Sequence, residues 1–359
     1  MKSLIMSKYV NLGGTQYLSS IVKNILLESG YEMDILTGKT HKYAPNETTN
    51  LLETDYPFFP EKSKIGIFRN IIRLKKEFKK IDFSNYDFTF NNHPNNFLFN
   101  ADVNYLHGPS FVESFLDQDD NFRKNPIFYL TKISKIYKVF DGATFLTHGT
   151  YTKRISQKYF PYLGVKPKRI EYLFTPVETS LSVDFGKKQK NSVLVFGRIS
   201  PEKNLDFVIE LASRIRANFI ISGYVSSADS SYLQSLEDKK SSNVKIVPNP
   251  SPIEKQELFA RAWTYLHSKE KEHFGVTIAE AISSGCVPVV HKSGGAWEDV
   301  VDKGRYGLGF SSIEEAVQKI HESFEIAISS RMDIYESRSR FSLDDFKRRF
   351  IELFLTDAR

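Results

Sequence analysis

The stretch EHFGVTIAEAISSGCVPVVHKSGGAWEDVV, from Glu272 to Val301, leaves few folds open. Glu272 and Glu280 lie eight positions apart, one on each side of a helix start read at Gly275. A glycine-punctuated turn, a buried strand over Val287–His291 and a second turn at Gly294 and Gly295 follow. Helix, turn and strand in this order are the repeating unit of a parallel α/β sheet. A helix N-terminus carries unpaired N–H groups and the positive end of the dipole, so it suits an anionic diphosphate. Carboxylates beside such a site accept hydrogen bonds from neutral hydroxyl groups. The segment therefore describes a pocket for a nucleotide that carries a sugar.

The same punctuation recurs along the chain. Ser3–Lys8 reads as a strand, residues 11–14 as a turn, and Thr15 as the cap of a helix to about Ser29, which Gly30 ends. Met33–Leu36 is the next strand, and strand, glycine turn, helix, strand opens a doubly wound sheet. YDFTF, ADVNYL and GATFLT read as strands ending before His93, His107 and His148. Strand carboxyl ends face the ligand crevice in open α/β sheets, so these loops are expected at a site. Thr175–Asn191 shows turn residues and charge without an amphipathic period, and the pattern then restarts. VLVFG, NFIISG, NVKIVP and TYLHS are strands, with helices over Asn204–Arg216 and Ile253–Arg261.

Length and composition fit two core-bearing domains, with 359 residues, 41% hydrophobic and 26% charged. A single cysteine, Cys286, excludes an internal disulfide framework and reads as a small buried residue. The first residues lack an apolar signal core, and no apolar run approaches the roughly 20 residues of a membrane span, so a cytoplasmic location is expected. The net charge of +6 is concentrated in the first half. Residues 62–80 hold eight Lys or Arg against one acid, Glu77, with apolar residues at helical spacing. Residues 123–140 are also basic and aromatic. Each reads either as a solvated face over a core stripe or as peripheral contact with an anionic membrane surface. No zinc-finger spacing or RNA-recognition signature supports nucleic acid as a partner.

The Glu272–Glu280 segment resembles the retaining glycosyltransferases of GT-B fold, which include lipid-linked mannosyltransferases, sucrose synthases and glycogen synthases. That resemblance extends to VLVFGRISPEKNLDFVI with Gly197, Arg198 and Lys203, to NLGGTQ with Gly13 and Gly14, and to NYLHG with His107, all in the family's order. It implies two Rossmann-like doubly wound domains facing a central cleft. The expected domains are 1–180 for the acceptor, 190–340 for the nucleotide sugar, and a C-terminal helix, 341–359, crossing back to the first domain.

The resemblance also implies roles. Glu272 contacts donor-sugar hydroxyls, and Glu280 holds the ribose. His273, Phe274, Gly275, Val276 and Thr277 line the sugar and phosphate, partly through backbone N–H groups. Arg198 and Lys203 neutralise the leaving diphosphate, and His107 sits beside the reacting sugar. Gly13 and Gly14 permit close backbone approach. Ser293, Gly294, Gly295 and Glu298 form a further loop at the donor, although Trp297 departs from the family's pattern and puts the helix entry there in doubt. The two cations take the place of a metal, so no essential metal and no cofactor beyond the donor are expected. The DQDD run, Asp117–Asp120, reads as a solvated acidic loop. The implied reaction moves a hexose from a nucleotide diphosphate sugar to a glycan or lipid-linked acceptor, with same-face attack and retention. Another GT-B enzyme, such as an epimerase or a phosphorylase, and a non-catalytic sugar-nucleotide-binding partner are the alternatives.

Overall fold

The computed structural model describes residues 1–7, 14–38, 49–54, 82–94, 97–107, 135–179 and 183–356. Its contacts divide into two units, Met1–Leu173 with Lys347–Arg359, and Phe174–Phe346.

The first unit is built on strands β1 (Lys2–Met6), β2 (Glu32–Gly38), β3 (Thr49–Thr54), β4 (Phe88–Asn91), β5 (Val103–Leu106), β6 (Thr144–Thr147) and β7 (Arg169–Tyr172). They pair in parallel in the order β3-β2-β1-β4-β5-β6-β7. Helix α1 (Gly14–Glu28) follows β1, and α2 (Thr150–Leu163) follows β6. Thr15, expected at the cap of α1, is instead its second residue. A parallel sheet covered on both faces needs strands that are apolar throughout, and Leu4, Ile5, Met6, Phe88, Phe90, Phe145 and Leu146 are all buried.

The second unit alternates β8 (Gln189–Phe196), α3 (Leu205–Ser213), β9 (Asn218–Gly223), α4 (Ser230–Lys239), β10 (Val244–Pro248), α5 (Pro252–Arg261), β11 (Ala262–His267), α6 (Val276–Ser283), β12 (Val287–His291), β13 (Leu308–Phe310), α7 (Ile313–Glu325) and α8 (Ile328–Glu336). Its strand order is β10-β9-β8-β11-β12-β13. Side chains alternate across each strand. Val193 and Val195 pack with Phe219, Ile221 and Val289 on one face, while Leu194 packs with Tyr265, Phe274, Ile278 and Val287 on the other.

The last helix, α9 (Leu343–Phe354), begins in the second unit and belongs to the first from Lys347 onward. Phe350 packs edge-on against Phe90 at 6.1 Å and Phe88 at 6.4 Å. The guanidinium of Arg169 donates to the Leu353 carbonyl at 2.8 Å, and Lys347 pairs with Glu28. Burying Phe350 completely contributes about 2–3 kcal/mol by apolar area.

In both sheets the chain winds outward from a central strand and then returns to that strand's other side. The switch falls between β1 and β4 in the first unit and between β8 and β11 in the second. Crossovers leave in opposite directions there, so the strand carboxyl ends open a crevice.

Candidate functional site

β8 ends at Phe196, and Gly197 follows it directly. The Gly197 N–H donates to the Ser222 carbonyl at 3.0 Å, extending the β8–β9 pairing by one step. The tight partner across this step is Gly223, with φ +148°, where a Cβ would fall 1.6 Å from the Gly197 carbonyl oxygen. A Cβ on Gly197 itself would meet nothing within 4 Å. The chain then turns through Arg198 and Ile199 into a short helical turn, Pro201–Lys203. Asn204, expected to open the next helix, adopts φ 54° and makes no side-chain cap. It reverses the chain by backbone conformation instead. The Ser268 hydroxyl donates to the Lys203 carbonyl at 2.9 Å and ties this turn to the end of β11.

Lys203 points back toward that strand end. Its ammonium lies 2.6 Å from Glu272 Oε2, with the side chains 19% and 14% exposed. His267, the last residue of β11, places Nε2 3.3 Å from the same oxygen, and Lys269 approaches Oε1 at 3.9 Å. Burial pushes the Glu272 carboxyl up, but the adjacent His267 imidazole and Lys203 ammonium outweigh it and hold the group well below the usual carboxylate range. Burial pushes the His267 imidazole down, against the raising effect of Glu272. Arg198 and Lys203 line one small pocket with His267 and Ser268. The Arg198 side chain is 63% exposed and pairs with Glu202.

The segment between Glu272 and α6 is shaped by Phe274 and Gly275. Phe274 is buried against Phe174 and Phe341, with ring centroids 5.6 and 6.0 Å away. Its ring is a core anchor, and only its backbone is left to serve a ligand. Gly275 has φ +91°, a conformation that L side chains rarely adopt, and turns the chain into α6. Tyr265, fully buried in β11, donates its hydroxyl to the Phe196 carbonyl at 2.8 Å and shares a second hydrogen bond with the Thr277 hydroxyl at 2.6 Å. One phenol thus links the end of β8 to the first turn of α6. Glu280 lies one turn further along α6, where Oε1 accepts from Lys255 of α5 at 2.7 Å.

The Ser293–Gly295 turn supports this segment from below. Gly295 donates its N–H to the Glu272 carbonyl at 2.7 Å, and Ser293 Oγ accepts from the Lys271 N–H at 2.8 Å. A Cβ at Gly294 would lie 2.4 Å from the Glu272 carbonyl oxygen, and one at Gly295 would lie 1.9 Å from that of His273. The two glycines let the backbones touch. Glu298 falls in the π-helical turn Ala296–Val300 that continues from this loop. Trp297, the atypical residue, fits because Gly309 and Gly304 face its ring, where a Cβ would lie at 2.4 and 3.1 Å.

In the first unit, His107 directly follows β5. Its Nε2 donates to the backbone and side-chain oxygens of Asn92 at 2.9 and 2.8 Å, and the ring packs on Tyr105 at 4.7 Å and His93 at 5.2 Å. His148 is buried and shares a 3.1 Å hydrogen bond with Thr152. Gly14 is the first residue of α1. Gly13, residues 62–80 and 123–134, and Asp117–Asp120 lie outside the described residues. Among the described residues, no three His, Cys, Asp or Glu side chains group as metal ligands, and no helix is long and apolar enough to cross a membrane.

The sequence model of the family described as glycosyl transferases group 1 matches residues 178–342. That match falls within the second unit and covers a little under half of the chain. The Lys203–Glu272 pair, α6 and the Ser293–Gly295 turn all lie inside the matched domain. Curated relatives include the GDP-Man:Man(3)GlcNAc(2)-PP-Dol alpha-1,2-mannosyltransferases of Dictyostelium discoideum and Neurospora crassa. The first is 23% identical over 63% of this chain and 50% of its own length, the second 26% identical over 53% and 39%. The chain thus matches half or less of those relatives' length. Among solved structures, the sucrose-phosphate synthase of Thermosynechococcus elongatus superposes with a TM-score of 0.75 at 13% identity, covering 100% of both chains. WaaG, a glycosyltransferase involved in lipopolysaccharide biosynthesis, gives 0.71 at 14% identity over 99% of this chain and 100% of its own. These likenesses establish the GT-B fold, with its two Rossmann-like sheets.

Three residues of the second unit that contact the candidate site belong to no sequence motif named above. His267 ends TYLH as His107 ends NYLH, so the strand-end rule applies to it equally. Tyr265 and Lys255 carry no motif; their roles come from partners at positions 277 and 280.

The buried groups predict an acid-sensitive domain. His267 and His291 have lowered folded pKa values, so below about pH 6.5 the unfolded chain binds protons that the folded domain refuses. Glu272, also lowered, adds loss in the same direction once the pH falls through the ordinary carboxylate range. The melting temperature is expected to fall steadily from about pH 7 to pH 4, with a His267→Asn variant showing a shallower upper part. A flat profile would contradict this assignment.

Proposed function

We propose that this chain is a retaining glycosyltransferase. It moves a hexose from a nucleotide diphosphate sugar to a hydroxyl of a glycan or lipid-linked acceptor. One observation carries the reading: at the switch point of the second sheet, the ends of β8 and β11 bring Lys203 to Glu272 with Arg198 lining a pocket beside Lys203, and Tyr265 joins that crevice to the first turn of α6. This is a cationic, dipole-assisted seat for a diphosphate with a carboxylate beside it.

In this reading the diphosphate lies between Lys203, Arg198 and the N–H groups at the start of α6. Glu272 accepts hydrogen bonds from sugar hydroxyls, and its depressed pKa keeps it an acceptor throughout the neutral range. The Glu272 carboxylate is committed to Lys203, so it is assigned no nucleophilic role. Charge that builds on the departing phosphate is met by the two cations, and that phosphate takes the acceptor's proton on the face it leaves. The first unit is assigned to the acceptor, and His107, Gly13 and Gly14 are proposed as its site residues. Two cations at the leaving group make an essential metal unnecessary.

The test is a donor panel followed by product NMR. GDP-mannose heads the panel because the curated relatives' names print it, and UDP-glucose follows because it is bound in the Anabaena HepE structure. Transfer to a lipid-linked oligosaccharide with the donor's anomeric configuration kept, and undiminished by EDTA, is expected. An inverted product would overturn retention. No turnover with any donor would overturn the transferase reading.

A further inference from the structure

Lys255 is a third cation among the candidate site's side chains, after Arg198 and Lys203, and it pairs with Glu280. It closes the first turn of α5, whose start is set by a reciprocal cap: Ser251 Oγ accepts from the Glu254 N–H at 3.2 Å, and Glu254 accepts from the Ser251 N–H at 2.8 Å. The Lys255 ammonium stands 5.3 Å from the Phe196 ring centroid and 5.8 Å from that of Phe259. Two aromatic faces and a capped helix leave it little freedom.

What it holds is half of a carboxylate. Lys255 takes Glu280 Oε1, while Glu280 Oε2 is buried with no hydrogen-bond partner among the described residues. Ser283 Oγ, three residues along the same helix, is buried and equally without a partner. Both residues line a cavity of about 460 Å³ with Lys255 and Phe259. Buried polar atoms find partners in almost every folded protein, so two orphans on one helix beside a cavity leave hydrogen-bonding capacity there that no described residue fills.

We infer that Lys255 is a positioning residue for the ribose: by pinning Oε1 it aims Oε2 at the vicinal hydroxyls of a nucleotide. This rests on the donor reading above. A carboxylate without the pin can rotate and hydrate both oxygens, and it then discriminates poorly between a diol and a single hydroxyl.

Isothermal titration of the full chain with GDP, UDP and ADP, each beside its 2′-deoxy counterpart, tests this. The wild type is expected to prefer the ribonucleotide it binds best about tenfold over the deoxy form. Lys255→Met should reduce that preference to about twofold, and Lys255→Arg should keep most of it, because a charged donor is restored. If Lys255→Met melts much earlier than the wild type, Lys255→Gln decides by the same ratio. A wild-type ratio in the uncharged variants overturns the inference and leaves the donor reading standing, as does a wild type that does not discriminate. Failure of every nucleoside diphosphate to bind the wild type removes the donor reading and this inference with it.

Discussion

Lys203→Met is expected to lower kcat by about 10²–10³-fold with a much smaller change in KM, because it removes a charge that matters most as the diphosphate departs. It should also destabilise the domain. Glu272 is 14% exposed and would lose the ammonium 2.6 Å away, leaving a buried carboxylate with weaker partners. Complete burial of such an orphan costs 3–5 kcal/mol, and the residual exposure of this pair brings the expectation to about 2 kcal/mol. Glu272→Gln should inactivate to a similar degree. The double variant Lys203→Met/Glu272→Gln separates the two effects. It should regain most of the lost stability, because neither charge is left unpaired, and remain inactive. Urea titration and steady-state rates on the four proteins check this cycle. Regained activity in the double variant would mean that the pair is structural and that the diphosphate rests elsewhere.

Gly223→Ala carries the largest expected effect on folding. Its Cβ would fall 1.6 Å from the Gly197 carbonyl oxygen, a backbone atom with no rotamer to change, and φ +148° is already unfavourable for alanine. One of the two strand ends must move apart, which should cost about 3 kcal/mol or more. Gly197→Ala meets no atom within 4 Å and should fold normally. Gly197 was the glycine that the motif singled out, yet the spatial requirement for a missing side chain falls on its neighbour across the sheet. Thermal melts of both variants decide the matter. A Gly223→Ala protein as stable as the wild type would show that β8 and β9 do not close as described.

Local pattern was legible where it was continuous in the chain. VLVFG, TYLHS and Val287–His291 appear as strands because parallel strands covered on both faces are apolar at every position. The helix carrying Glu280 was read over Gly275–Ser284 and forms over Val276–Ser283. Strands β3, β7 and β13 were not foreseen. TNLLET and RIEY mix polar residues into short runs, and LGF is three residues long, so periodicity had nothing to count. The resemblance assigns Gly294 and Gly295 to a further loop at the donor. Their tight contacts are with the backbone at Lys271–His273, and that contact depends on two segments more than 20 residues apart.

From its order of residues alone, this chain determined which types of group stand at which turns: two acids flanking a helix start, two bases after a buried strand, and glycines where the path turns sharply. Those follow from local chemistry, since spacing along a backbone and conformational freedom at a turn are properties of neighbours in sequence. Only the folded sheet decided who pairs with whom. Lys203 meets Glu272 and Lys255 meets Glu280 because β11 inserts beside β8, and strand order is set by burying area across the whole sheet, which no single segment encodes.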